Sequence, residues 1–155
     1  NEYKFEFNHK LVKGGSERFY TVKNALNLVP NNAIVGVHDS VRPLVSKETI
    51  NNCFSAAKKF GSAIPVVDSV NSLRYIDKSR NEIINRNCIK QVQTPQYFEA
   101  EKIKTSYQQE YSSNFTDDAS VFEANNNLIT TVKGNTENIK ITSPLDLIIA
   151  KKILA

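Results

Sequence analysis

Methionine is absent from all 155 residues, even the first, and the chain opens on NEYKFEF. That opening reads as the middle of something longer, so an upstream portion is expected before Asn1. Cysteine is scarce. Cys53 and Cys88 have neither metal-ligand spacing nor a disulfide framework around them, which suits a reducing cytoplasm and a structural part for both. Long apolar runs are missing too: stretches such as Leu147-Ile148-Ile149-Ala150 fall far short of the ~20 residues of a membrane span, and nothing near the start resembles a signal peptide. The net charge of +4 arises without a dense Lys/Arg run, so neither nucleic acid nor membrane is indicated. Scattered cations around a small, phosphate-rich ligand account for it as well. Of only two histidines, neither His9 nor His38 shows the spacing of a nucleophilic triad. No internal repeat or low-complexity stretch occurs apart from the polar Asn125-Asn126-Asn127 turn.

What is present, 40% hydrophobic and 23% charged residues, is enough for one soluble globular domain over 1–155 with a real core. Strands alternate with helices, which predicts an α/β fold whose mainly parallel sheet is flanked by helices. A glycine pair, Gly14-Gly15, precedes a helix over 18–28 with Phe19, Val22, Ala25 and Leu26 on one face. A strand over 33–38 follows. Ser46 then caps a helix whose Ile50, Phe54 and Ala57 have core-facing spacing, and residues 61–67 form a short buried strand.

Between 68 and 93 the pattern becomes an excursion. Strands over 73–76 and 83–89, joined by Asp77-Lys78-Ser79-Arg80-Asn81, predict a hairpin. An isolated ribbon is marginal in water unless packed on something, and a second subunit is the simplest partner. A helix containing Ile103 and Tyr107, a short helix capped by Thr116 or Asp117, and strands over 128–132 and 138–142 complete the expectation. In the last strand, alternation puts Ile139 and Ile141 on one face and turns Lys140 to the other. Ser143-Pro144-Leu145-Asp146 combines an N-cap, a proline at the first helical position and an acid in the first turn, which starts the final helix.

The segment most suggestive of chemistry is AIVGVHDSVRP at 33–43. An apolar strand ends at His38 and Asp39, with Arg42 three residues on. Ligand sites of open α/β sheets lie beyond the carboxyl ends of strands, where an acid and a base can hold a metal and a phosphate. Alternatively, Asp39 and Arg42 cap the next turn or pair with each other.

Six blocks in register carry a resemblance: GG with ERFYTV at 14–22, VHDSVRP at 37–43, PVVDSV at 65–70, QTPQYF at 93–98, TDDASVFE at 116–123 and NIKITSPLDL at 138–147. Together they resemble the 2-C-methyl-D-erythritol 4-phosphate cytidylyltransferase family over nearly the whole chain. The family's opening Gly-rich nucleotide loop, with its Arg and the following Pro-Lys-Gln stretch, would precede Asn1. The resemblance implies a Rossmann-like fold of the nucleotide-diphospho-sugar transferase type with a protruding arm. It also implies cytidylyl transfer from CTP to methylerythritol phosphate with release of pyrophosphate, in non-mevalonate isoprenoid synthesis. On that reading residues 1–155 alone are inactive.

By the same matching, Asp39 corresponds to an acid associated with Mg²⁺ and Lys140 to a lysine near the reacting phosphates. Gly15, Ser16, Thr21 and Ser40 fall on the nucleotide, with Arg18 either there or an ordinary helix-start arginine. Arg42, Ser69, Arg86, Thr94 and Thr116 fall on the second substrate. Ser69 stands where many relatives carry Thr, and Ser40-Val41 replaces a smaller pair. Arg86, on the arm, would complete the neighbouring subunit's site, making a homodimer necessary. His38 reads as structural. A ribitol phosphate cytidylyltransferase shares several of these blocks but not the TDDASVFE run, and a non-catalytic α/β binding module is the third alternative.

Overall fold

The computed structural model describes residues 6–155. The chain forms α1 (Arg18–Leu26), β1 (Ile34–Val37), α2 (Lys47–Phe60), β2 (Ser62–Asp68), β3 (Leu73–Ile76), β4 (Asn81–Ile84), β5 (Lys90–Val92), β6 (Gln96–Glu99), α3 (Ala100–Ser106), α4 (Asp118–Ala124), β7 (Thr131–Lys133) and α5 (Pro144–Leu154). Local signals account for the ends of several helices. Ser46 Oγ accepts the Thr49 N–H at 3.0 Å to open α2, and Gly61 closes it in the left-handed region at φ 90°. A reciprocal capping box between Ser143 and Asp146 opens α5, with Pro144 in the first turn.

The sheet is mixed, where a mainly parallel one was expected. Its order is β1-β6-β2-β5, with β7 also pairing with β2. β1 and β2 are both antiparallel to β6, whereas β7 is parallel to β2. Three strands therefore share one direction, and β7 pairs directly with β2, but β6 of the returning segment 90–99 separates β1 from β2. That return strand is interrupted. Ser62 faces Phe98 and Val66 faces Val92, so four steps along β2 are spanned by six along its partner, and a bulge opens around 93–95, which includes the cis Thr94–Pro95 peptide. Bulges re-aim side chains beside functional sites, and this one turns Thr94 toward the end of β1.

Alternation along the strands builds two cores. On one face Ile64 and Phe98, with partly buried Val35, Val37 and Val66, pack against Phe19, Ile103, Tyr107 and Phe122. On the other, Ala63 meets Cys53 and Ala57 of α2, with Ile34, Tyr97 and Val132 alongside. The buried stripe of α2 is thus Thr49, Cys53 and Ala57, not the expected Ile50, Phe54 and Ala57. Small side chains let the helix lie close to the sheet, and Phe54 is turned outward, 44% exposed, meeting Tyr97 edge-on at 6.1 Å. Burial raises the Cys53 thiol to about 12, which keeps it unreactive.

The hairpin forms a separate two-stranded sheet, with Leu73 opposite Ile84 and Ile76 opposite Asn81. Its second strand ends sooner than expected. Asn85 accepts the Asn87 N–H at 3.1 Å and caps a 3₁₀ turn over Arg86–Cys88, so Arg86 lies on the turn leading back to the sheet and not on the ribbon itself. Residues 138–142 likewise form no strand. The Asn138 N–H bonds back to the Asn135 carbonyl, and the Ile141 N–H donates to the Val41 carbonyl at 2.9 Å, so this segment crosses the end of β1 instead of extending the sheet.

Candidate active site

Three backbone segments meet beyond the carboxyl end of β1: the turn 38–42, the bulge 93–95 and the crossing segment 138–140. The turn is closed by the Arg42 N–H, which donates to the Asp39 carbonyl at 3.0 Å. Asp39 Oδ2 receives two cations, Arg42 Nε and Lys140 Nζ, each at 3.4 Å. Arg42 also donates from Nη1 to the Asn138 carbonyl at 2.8 Å. One carboxylate oxygen is therefore shared by charges from two segments remote in sequence. The resulting excess of positive charge suits a phosphate-bearing ligand. The Asp39 side chain is 19% exposed and that of Lys140 50% exposed, so the lysine can reach outward.

Thr94 sits behind this pair. Its Oγ1 accepts the Asp39 N–H at 3.0 Å and lies 2.9 Å from His38 Nδ1, while His38 Nε2 donates to the Arg42 carbonyl at 3.0 Å. Asn138, fully buried, donates from Nδ2 to the Thr94 carbonyl at 2.9 Å. Gln93 Nε2 donates to the Asn135 carbonyl at 2.9 Å. Sequence reasoning passed over Gln93 and Asn138, which clamp the three segments together. Their signal lay in polar residues inside the QTPQ and NIK blocks, whose burial only the fold reveals. Asn138 Oδ1 is buried without a partner among the described residues.

The other expected residues form two neighbouring groups. Ser69 and Arg86 line a groove of about 960 Å³ together with Asp68, Lys90, Lys133 and Asn135. Arg86 Nη1 donates to the Val70 carbonyl at 2.5 Å. The groove's lining includes Asn135, Thr136 and Glu137, which lead along the chain to Asn138 beside the Asp39 cluster. In the second group, the Gly15 N–H donates to Thr21 Oγ1 at 2.9 Å. A Cβ on Gly15 would lie 2.3 Å from Tyr20 Cβ, so only glycine lets this loop fold onto the first turn of α1. Ser16 and Ser40 are exposed, as is Thr116, one residue before the α4 cap Asp117.

Arg18 has a partner inside the protein. Its Nη1 and Nη2 donate to Asp118 Oδ1 and Oδ2 at 3.1 and 2.5 Å. Burial opposes the guanidinium charge, but the hydrogen bonds and charge of Asp118, with smaller contributions from Tyr107 and Asp39, outweigh it and raise the pKa above its ordinary value. Burial, followed by Asp118, pushes the Tyr107 phenol well above its usual range.

Asp39 is the carboxylate of this cluster that could hold a divalent ion. No group of three or more His, Cys, Asp or Glu able to hold a metal occurs among the described residues. Mg²⁺ needs only one or two carboxylates when phosphate oxygens and water supply the rest. Both cations address Oδ2 of Asp39, so its other oxygen suits that part.

A family model described as 2-C-methyl-D-erythritol 4-phosphate cytidylyltransferase matches residues 4–155. The chain belongs to this family. The cytidylyltransferase of Phocaeicola vulgatus is 48% identical over 152 residues, covering 98% of this chain and 69% of that protein. The Bacteroides fragilis cytidylyltransferase is 47% identical over 153 residues, covering 99% and 70%. Among solved structures, the 4-diphosphocytidyl-2C-methyl-D-erythritol synthase of Anaerococcus prevotii superposes with a TM-score of 0.86 at 28% identity, covering 98% of this chain and 73% of its own. The cytidylyltransferase of Thermus thermophilus gives 0.80 at 28% identity, covering 92% and 71%. The fold is accordingly that of the nucleotide-diphospho-sugar transferases, with a mixed sheet between helical layers.

Proposed function

We propose that this cytidylyltransferase-family chain serves transfer of a cytidylyl group from CTP to 2-C-methyl-D-erythritol 4-phosphate in isoprenoid precursor synthesis. The observation that carries the reading is the convergence of Lys140 and Arg42 on Asp39 beyond β1. A phosphate oxygen of methylerythritol phosphate bonds to the α-phosphorus of CTP, the α–β bridging P–O bond breaks, and pyrophosphate leaves with that electron pair. The nucleophile is already anionic, so no general base is required. The work is alignment and charge neutralisation.

In this reading Lys140 reaches the reacting phosphates, and Arg42 holds the second substrate while steadying Asp39. Asp39 would hold Mg²⁺, whose charge organises the triphosphate when bound. Gly15, Ser16, Thr21 and Ser40 face the nucleotide. Ser69, Arg86, Thr94 and Thr116 face methylerythritol phosphate. Arg18, committed to Asp118, braces the Gly14-Gly15 loop against α4. The hairpin exposes Ile76 and Ile83, 69% and 75% accessible, which favours a homodimer through this arm, acting in the cytoplasm.

The test is pyrophosphate release by the full-length protein with CTP, Mg²⁺ and methylerythritol phosphate. Phosphorus NMR should show the diphosphate product. Turnover with ribitol 5-phosphate equal to or above that with methylerythritol phosphate would transfer the assignment to the polyol enzymes.

A further inference from the structure

We propose that His38 is a positioning residue that accepts the hydrogen bond of the Thr94 hydroxyl, so that Thr94 meets the second substrate as a hydrogen-bond acceptor. The proposal rests on the reading above that Thr94 contacts methylerythritol phosphate. It begins from the hydrogen bonds around one ring. His38 Nε2 lies 3.0 Å from the Arg42 carbonyl, and a carbonyl can only accept. In the neutral ring the single proton is therefore on Nε2, leaving Nδ1 with a lone pair. Nδ1 lies 2.9 Å from Thr94 Oγ1, so the hydroxyl donates to it.

The same Oγ1 accepts the Asp39 N–H at 3.0 Å. A hydroxyl has one proton and two lone pairs. The O–H donates to His38 Nδ1 and one lone pair accepts the Asp39 N–H, which leaves a single lone pair for a ligand. A phosphate oxygen offers no proton to it. A hydroxyl of the polyol does, so the substrate group that Thr94 selects is an O–H. The ring also ties the Arg42 end of the turn to the Thr94 bulge, fixing the distance between the two.

The experiment reads the ring directly. In ¹⁵N-labelled full-length protein at a pH where the ring is neutral, long-range proton–nitrogen correlation should show His38 protonated on Nε2 and hydrogen-bonded at an unprotonated Nδ1. Assignment follows from loss of the signal in His38→Asn. The Nδ1 resonance should shift in Thr94→Val. A proton on Nδ1 would overturn the proposal.

Kinetics supply the second reading. His38→Phe should raise KM for methylerythritol phosphate about tenfold, with KM for CTP changed less than twofold. His38→Asn, which keeps an amide group where Nδ1 lies, should recover most of the loss. Equal increases for both substrates, or none, would overturn the positioning role. Thr94→Val tests the underlying reading separately: an unchanged KM for methylerythritol phosphate removes Thr94 from the substrate site, whatever the tautomer of the ring.

Discussion

Arg18 and Asp118, one hundred residues apart, form a two-pronged ion pair in which the carboxylate is fully buried and the arginine side chain 40% exposed. The pair joins the first turn of α1 to the first turn of α4, and so links the glycine loop before α1 to Thr116 before α4. Tyr107 Oη donates to Asp118 Oδ1 at 2.6 Å, and the Tyr107 ring stacks on Phe19 at 4.7 Å. Removing Arg18 leaves a buried carboxylate whose remaining side-chain donor among the described residues is the Tyr107 phenol. Loss of one partner of a buried pair costs several kcal/mol, reduced here because solvent reaches the arginine, so Arg18→Ala should destabilise by about 2 kcal/mol. Urea unfolding measures it. A loss below about 0.5 kcal/mol would mean the pair contributes little.

Lys140→Ala should lower turnover far more than stability. The lysine side chain is half exposed whereas its neighbours Ile139 and Ile141 are half-buried, so truncation opens no core cavity. Loss of a cation at a developing phosphate charge costs about 10²-fold or more in kcat. Unchanged turnover at an unchanged urea midpoint would remove Lys140 from the reaction.

The expected alternation at 139–141 survived although the strand did not, because burial on one side of a crossing segment imposes the same period as a sheet. The caps were legible for a similar reason: Ser46 and Ser143 act on N–H groups within three residues. The bulge at Thr94 was not legible. It exists only as a mismatch in length between β2 and its partner, which requires both strands to be paired. Asn138 and Gln93 were missed because their hydrogen bonds span more than forty residues. Arg86 was placed on the ribbon because Ile83, Ile84 and Ile89 favour a strand over 83–89, whereas the local Asn85 cap ends that strand.

Gly134 marks how tightly the clamp is built. A Cβ there would lie 2.4 Å from Gln93 Oε1 and 3.4 Å from Pro65 Cβ. Gln93 is 5% exposed and has little room to retreat, so its amide must leave the Asn135 carbonyl. Gly134→Ala should cost about 1–3 kcal/mol by overpacking and raise KM for methylerythritol phosphate, since the segment bearing Asn138 and Lys140 shifts with it. A variant matching the parent in urea midpoint and KM would show that the clamp yields without consequence.

The hairpin turn carries a pH signature. Asp77 accepts N–H groups from Ser79 and Arg80, and these bonds, led by Ser79, lower its carboxyl from 3.8 to about 2. A depressed carboxylate contributes stability above its unfolded pKa and loses it as pH falls through the folded one. The turn should therefore loosen between about pH 4 and pH 2. Carboxyl-carbon NMR should place the Asp77 midpoint near 2, and the hydrogen-exchange protection of Ser79, relative to the intrinsic rate at each pH, should fall across the same window. In Asp77→Asn that fall in protection should vanish, and its persistence would assign the loosening to another group.

The arm raises a question that subunit mixing answers. Arg86 lies on the turn that returns from an apolar ribbon, beside Ser69 in the groove, whereas Lys140 lies on Asp39. If Arg86 completes the site of the neighbouring copy and Lys140 its own, then Arg86→Ala and Lys140→Ala homodimers should each be nearly inactive. In a mixed dimer one site carries both defects and the other neither, so subunit exchange should restore up to about half the activity per heterodimer. Native mass spectrometry establishes that the mixed dimers have formed. If they form and nothing is restored, Arg86 acts on its own chain, where its guanidinium already meets the Val70 carbonyl, and the arm serves assembly alone.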